Sequence, residues 1–161
     1  MKIRRYLMLV AACTFFLGKS FAANNEKPFV IPELQEWRGA QGMFTPSATS
    51  RIVWLGKDSA VARVANQFAE DYETMFGRKL TVVQGRASAG DFVFSLSGDR
   101  QLGEEGYAVR IADRVSISAP KAKGLYWATR TILQMTEQNS DQALPKGAVR
   151  DYPDYAIRGF M

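Results

Sequence analysis
The sequence predicts an α+β domain in which a mostly antiparallel sheet carries two helices on one face. Three observations carry that reading. From Gly106 to Met135 the chain runs as strand, tight turn, strand, loop and helix with almost no slack. A second apolar pattern of helical period fills Val61 to Phe76. Around these lie short runs of β-branched and aromatic residues, bounded by glycine, proline and polar clusters.

The chain has 161 residues, enough to bury a compact core. Its first 22 residues read as a cleaved export signal. Lys2, Arg4 and Arg5 form a basic start, Tyr6 to Leu17 is an apolar run, and Ser20-Phe21-Ala22 offers a small-x-small cleavage site. The apolar run is too short for a permanent bilayer span. Leu9 to Cys13 has a passing likeness to a lipoprotein box, but Thr14 to Leu17 continues the hydrophobic segment. Cleavage after Ala22, with export to a bacterial periplasm or medium, is the expectation, rather than anchoring at Cys13.

Removing Lys2, Arg4, Arg5 and Lys19 from the 21 basic residues leaves 17 against 16 acidic ones, a net charge of +1. Such a near-neutral chain argues against electrostatic binding of nucleic acid. Cys13 is the only cysteine, and there is no histidine. The processed chain therefore excludes disulfides, thiol nucleophiles, Ser-His-Asp hydrolysis and metal sites built on imidazole or thiolate. No cofactor and no metal are expected.

Asn24 to Pro28 is a polar leader, expected to be poorly ordered. Phe29 to Trp37 reads as an extended entry strand whose Pro32 suits an edge. Gly39 to Gly42 is expected to turn it into a second short strand, Met43-Phe44-Thr45. Arg51 to Leu55 is a third strand. Asp58 or Ser59 then caps a helix, Ser59 to Phe76, whose Val61, Val64, Ala65, Phe68, Tyr72 and Met75 share a face, and Gly77 closes it. Leu80 to Val83 and Asp91 to Leu96 are strands. The Gly85–Gly90 stretch between them lacks the Gly-Lys-Ser/Thr of a phosphate loop and reads as a connector.

Tyr107, Val109 and Ile111 alternate with Ala108 and Arg110. Asp113-Arg114 turns the chain, and Val115, Ile117 and Ala119 alternate with two serines on the return. After Pro120 a helix of about Lys123 to Glu137 sets Leu125, Ala128, Thr129, Ile132 and Leu133 on one face. Tyr126 and Trp127 stand opposite, so something is expected to pack on both flanks. Ala143 to Pro153 reads as the exit from the domain, and Tyr155 to Met161 as the start of a further strand.

These pieces in this order resemble one family. Ile31-Pro32 near the start, Glu105-Gly106-Tyr107, Gly124-Leu125, Thr131-Ile132-Leu133-Gln134 and Arg158-Gly159-Phe160-Met161 are similar to the non-catalytic N-terminal domain of the family 20 glycoside hydrolases, the β-N-acetylhexosaminidases. The resemblance implies three regions: residues 1–22 as signal, 23–150 as the accessory domain, and 151–161 as linker and first strand of a catalytic (β/α)8 barrel. It implies that the chain is the N-terminal part of an exported enzyme, with its helices packed against that barrel. The enzyme would release terminal N-acetylhexosamine from glycoconjugates or chitin fragments. A free-standing exported binding domain is the alternative reading.

Most glycosidases need two carboxyl groups about 5 to 10 Å apart, whereas family 20 uses the substrate's own acetamido oxygen as nucleophile. The family sets an Asp-Glu pair at a barrel strand end, and this sequence has no Asp-Glu dipeptide. No catalytic residue is therefore expected in the chain. Glu104 and Glu105 should point apart and be solvated, and Asp71, Glu73, Asp151 and Asp154 should be surface and turn residues. The aromatics Trp37, Trp54, Tyr126 and Trp127 are expected to be buried rather than to stack on sugar. Arg158 is the one substrate-binding candidate. The resemblance implies that the arginine of this Arg-Gly strand points into the sugar pocket and holds hydroxyls of the terminal N-acetylhexosamine.

Overall fold
The computed structural model describes residues 24–153. Residues 1–23 with Cys13, Asp154, the expected strand at Tyr155 to Met161 and its Arg158 lie outside the described residues.

One seven-stranded sheet carries two helices on one face, as the α+β expectation required. In chain order the elements are β1 (Glu36–Phe44), β2 (Arg51–Trp54), α1 (Ser59–Phe76), β3 (Thr81–Gln84), β4 (Phe92–Leu96), β5 (Tyr107–Ile111), β6 (Val115–Ala119), α2 (Ala122–Glu137) and β7 (Leu144–Asp151). Across the sheet they lie in the order β1-β7-β5-β6-β4-β2-β3. The longest strands, β1 and β7, pair antiparallel, as do β7 with β5 and β5 with β6. From β6 outward, β4, β2 and β3 pair parallel. The parallel half follows from α1: a helix returning the chain between β2 and β3 makes a βαβ unit.

Helix α1 starts where the Asp58 carboxylate accepts the Ala60 N–H at 2.8 Å. It ends at Gly77, in the left-handed region at φ 66°, whose N–H reaches the Glu73 carbonyl. Its inner face brings Phe68 to 5.5 Å from Phe92 and 5.6 Å from Phe94, ring centre to ring centre, while Phe44 meets Phe92 edge-on. Fully burying side chains of this size stabilises the fold by about 1.5 to 3 kcal/mol each. Helix α2 packs its Leu125, Ala128 and Ile132 into the same core.

Gly106 and Gly124 set how closely α2 approaches the sheet. A methyl on Gly124 would stand 2.3 Å from the Gly106 carbonyl oxygen, and one on Gly106 would stand 2.2 Å from that of Leu102. The two glycines of the recognisable stretch thus let backbone meet backbone at the helix start.

Three expectations give way here. The Phe29–Trp37 strand does not form as read: β1 begins at Glu36, and residues 29–34 run irregularly along α2 instead. Gln134 holds them there, accepting the Ile31 N–H at 2.9 Å and donating to the Ile31 carbonyl at 3.0 Å. Gly39 to Gly42 is no turn between strands; the register shift between Gly39 and Met43 is a bulge inside one continuous strand. The leader is pinned rather than loose. Asn25 donates from its backbone to Ala40, from its side chain to Gly42 at 2.7 Å and Lys146 at 3.0 Å, and accepts the Trp37 indole N–H.

The exit segment is also more than a linker, since β7 sits between β1 and β5. Pro145 and Gly147 disguise it as a turn. Pro145 lies beyond the last β5 pairing, where its missing N–H is harmless, and a methyl on Gly147 would stand 2.4 Å from the Trp37 ring.

Candidate functional site
A hollow lies where β7 leaves the sheet. Three elements converge there: the strapped segment before β1, the outer flank of α2, and the end of β7. They enclose a hollow of about 290 Å³ lined by Ile31, Pro32, Tyr107, Trp127, Arg130, Gln134, Asp151 and Tyr152, among others.

Its floor is a hydrogen-bonded chain. The Tyr107 hydroxyl donates to the Asp151 carboxylate at 2.8 Å and stands 2.6 Å from the Thr131 hydroxyl. Its single hydrogen points at Asp151, so Thr131 is the donor to Tyr107. The Gln35 N–H closes the chain onto the other Asp151 oxygen at 3.1 Å. Burial pushes the Tyr107 hydroxyl well above its ordinary pKa; the Thr131 hydrogen bond opposes the shift and the Asp151 carboxylate adds to it. Tyr107 is therefore a fixed neutral donor, not a proton carrier.

The rim is aromatic and cationic. The Arg130 guanidinium pairs with Asp71 and lies 4.8 Å from the centre of the Tyr126 ring. Tyr126 and Trp127 meet edge-on at 5.4 Å and are 38% and 40% exposed. With Phe29, Ile31 and Tyr152, also exposed, they form an apolar surface beside the last described residues.

The expected burial of aromatics divides accordingly. Trp37 and Trp54 pack against the core, but Tyr126 and Trp127 remain at the surface, because the helical period that put them opposite the core face turns them outward. Among the carboxylates, Glu104 and Glu73 are exposed as expected. Glu105 is not fully solvated: it is largely covered and paired with Lys123 at 2.6 Å. Asp71 is bound to Arg130, and Asp151 is the half-buried end of the tyrosine chain, in β7 rather than in a turn. Glu105, Asp71 and Asp151 are thus each committed to a structural partner. The Gly85–Gly90 loop is the connector it was read to be. Asp91, at its end, accepts from Ser88 N–H at 2.8 Å and from the Arg51 side chain at 2.6 and 3.2 Å.

Sequence reasoning missed Asn25, Gln134 and the Tyr107–Asp151 chain. In sequence Tyr107 is only a core position of an alternating strand, and its hydroxyl's partners lie 24 and 44 residues downstream.

A family model described as glycosyl hydrolase family 20, domain 2, matches residues 27–152. Among solved structures, the chain is similar to the N-acetyl-β-hexosaminidase of Streptomyces plicatus at 22% identity and a TM-score of 0.71, over 83% of this chain and 28% of that one. The family 20 β-N-acetylhexosaminidase of Streptomyces coelicolor matches at 21% identity and 0.70, over 84% and 28%. The exo-β-N-acetylglucosaminidase of Vibrio harveyi matches at 15% and 0.66, over 85% and 21%. At these identities the likeness is one of fold. The chain spans little more than a quarter of the Streptomyces enzymes.

Proposed function
The chain belongs to the glycosyl hydrolase family 20, domain 2, family, and on that premise we propose that it is the N-terminal accessory part of an exported β-N-acetylhexosaminidase. The family match carries this reading. The whole enzyme removes terminal N-acetylhexosamine residues by substrate-assisted retaining hydrolysis. This part holds the barrel rather than performing the chemistry.

The exposed surface of Phe29, Ile31, Tyr126, Trp127 and Tyr152 supports a packing role. It adjoins the point where the chain leaves β7, and apolar surface of this kind is stabilised by being covered. The Tyr107–Asp151 chain ties the end of β7 to β5 and α2, which suits a domain that orients a barrel. Arg158, five residues further on, is the substrate contact of this proposal. Its forked donors bind sugar hydroxyls in a geometry a lysine cannot copy. Residues 1–22 direct the protein out of the cytoplasm, and the linker into the barrel follows Asp151, the last residue of β7.

The purified chain is expected not to hydrolyse an aryl N-acetylglucosaminide, because it has no Asp-Glu pair to orient the acetamide and protonate the leaving oxygen. A longer form carrying the barrel should hydrolyse it. Turnover by the short chain, abolished on unfolding, would overturn the accessory reading. Inactivity of the longer form would favour a free-standing binding domain.

A further inference from the structure
The side of the sheet away from the helices carries a row of residues across four strands. Arg38 on β1 stands opposite Ala148 on β7, Ala148 opposite Arg110 on β5, and Arg110 opposite Ser116 on β6. Residues in register point to the same side of a sheet, so Arg38 and Arg110 flank a single alanine methyl. Both arginines are exposed. The turn after β5 adds Arg114. With Arg110 and Ser116 it lines an open hollow of about 330 Å³ whose other walls are the small Ala89 and Ala112 and the exposed Asp113, paired with Lys146 at 3.0 Å.

Two other arginines of the sheet are engaged. Arg150 is paired with Asp99 and Glu36, and Arg51 with Asp91. The side chains of Arg38, Arg110 and Arg114 make no hydrogen bond or ion pair among the described residues. Three guanidinium groups with free donors on one surface repel one another, a cost that a bound anion removes. Their planar forks match carboxylate and sulfate oxygens two at a time. The lining of the hollow has no aromatic ring on which a nucleobase could stack and no large apolar side chain to enter a bilayer.

We propose that this face binds an acidic glycan, with one sulfate or carboxylate group held between Arg110, Arg114 and the Ser116 hydroxyl and a neighbouring one against Arg38. The choice of a glycan rests on the family reading above; the anion site stands on the sheet register and the unpaired arginines. Because it lies across the sheet from α1 and α2, the face stays open when the helix side is covered by another domain.

The test measures binding of a fluorescently labelled, sulfated chondroitin hexasaccharide to the purified protein. An uncharged N-acetylglucosamine hexamer, phosphatidylglycerol vesicles and an oligo-dT strand are the comparison probes. The sulfated sugar should bind, and Arg110→Ser with Arg114→Ser should weaken it by about tenfold. Lys57→Ser with Arg63→Ser, which removes the same charge near α1, should leave it within about twofold. Raising salt from about 50 to about 200 mM should weaken it as well. The single change Arg38→Ser, at an exposed edge-strand position that cannot unfold the hollow, should cost about threefold. Absence of binding, equal losses in the two double variants, an unaffected Arg38→Ser, or tighter binding of vesicles or oligo-dT through the same arginines would each overturn the proposal. Activity of the longer enzyme on a neutral aryl N-acetylglucosaminide should be unchanged by the arginine substitutions. Its loss in the parent protein would count against the family reading and not against the anion face.

Discussion

The Tyr107 hydroxyl donates to Asp151 across 44 residues of sequence, at 2.8 Å, and Thr131 on α2 donates to it in turn. Strand β5, helix α2 and the end of β7 are thereby tied at one oxygen. Tyr107→Phe leaves the Thr131 hydroxyl and one carboxylate oxygen without their partner, a loss of about 1 to 3 kcal/mol. Urea denaturation of the purified chain measures it. Thr131→Val combined with Tyr107→Phe should cost less than the two separate losses added, because both remove the same contact. An unchanged midpoint for Tyr107→Phe would show that the chain does not tie the three elements.

Gly124→Ala should be severely destabilising. Its methyl would meet the Gly106 carbonyl oxygen at 2.3 Å, and that oxygen is backbone, so the start of α2 has to move away from the sheet. A loss of about 3 kcal/mol is expected, against about 0.5 kcal/mol or less for Gly98→Ala, where nothing lies within 4 Å of the added atom. Melting temperatures of the two variants decide it.

Stability should fall in acid through Asp91. Its burial opposes ionisation, but the Arg51 fork and the Ser88 and Arg51 N–H groups outweigh that and hold the carboxyl below the usual carboxylate range. The pKa is lower folded than unfolded, so folding favours the ionised form. That contribution is complete above the ordinary value of 3.8 and is lost as pH falls below it through the lower folded value. Asp91→Asn should therefore destabilise the chain at pH 7 and flatten its pH dependence below pH about 4. Parallel stability curves for the two proteins over that range would contradict this account.

In the longer enzyme, Arg158→Lys should raise KM and lower kcat/KM about a hundredfold, equivalent to about 2.7 kcal/mol of transition-state binding. The melting temperature should barely change. Normal kinetics with a lowered melting temperature would make Arg158 a structural residue instead.

The locally encoded parts of the fold were legible. The cap at Asp58, the left-handed Gly77, the apolar stripe of α1 and the alternation of β5 and β6 are each specified within a few residues. Each therefore appears in the sequence as a pattern of fixed period. The outward stance of Tyr126 and Trp127 was implicit in that same period, yet large aromatics invite an expectation of burial. Carboxylate roles were less legible, because Asp71, Glu105 and Asp151 look alike in sequence and differ only in which cation or hydroxyl the fold brings beside them.

By itself the sequence determined the two helices and the β5–β6 hairpin, which depend on residues close together along it, and the family to which the chain belongs, which shows in the order of short local pieces. Tertiary structure decided the rest. Only pairing with β1 and β5 makes a strand of Leu144–Asp151, whose proline and glycine locally favour a turn. Only the pairing of bulged β1 with β7 gives Asn25 its carbonyls, and only α2 gives Ile31 a partner, 103 residues away in Gln134. Arg38 on the open sheet face is likewise brought near Arg110 by strands that are neighbours in space and not in sequence. A hydrogen bond or ion pair depends on distance in space, and the order of residues along the chain does not record which distant segments the core draws together.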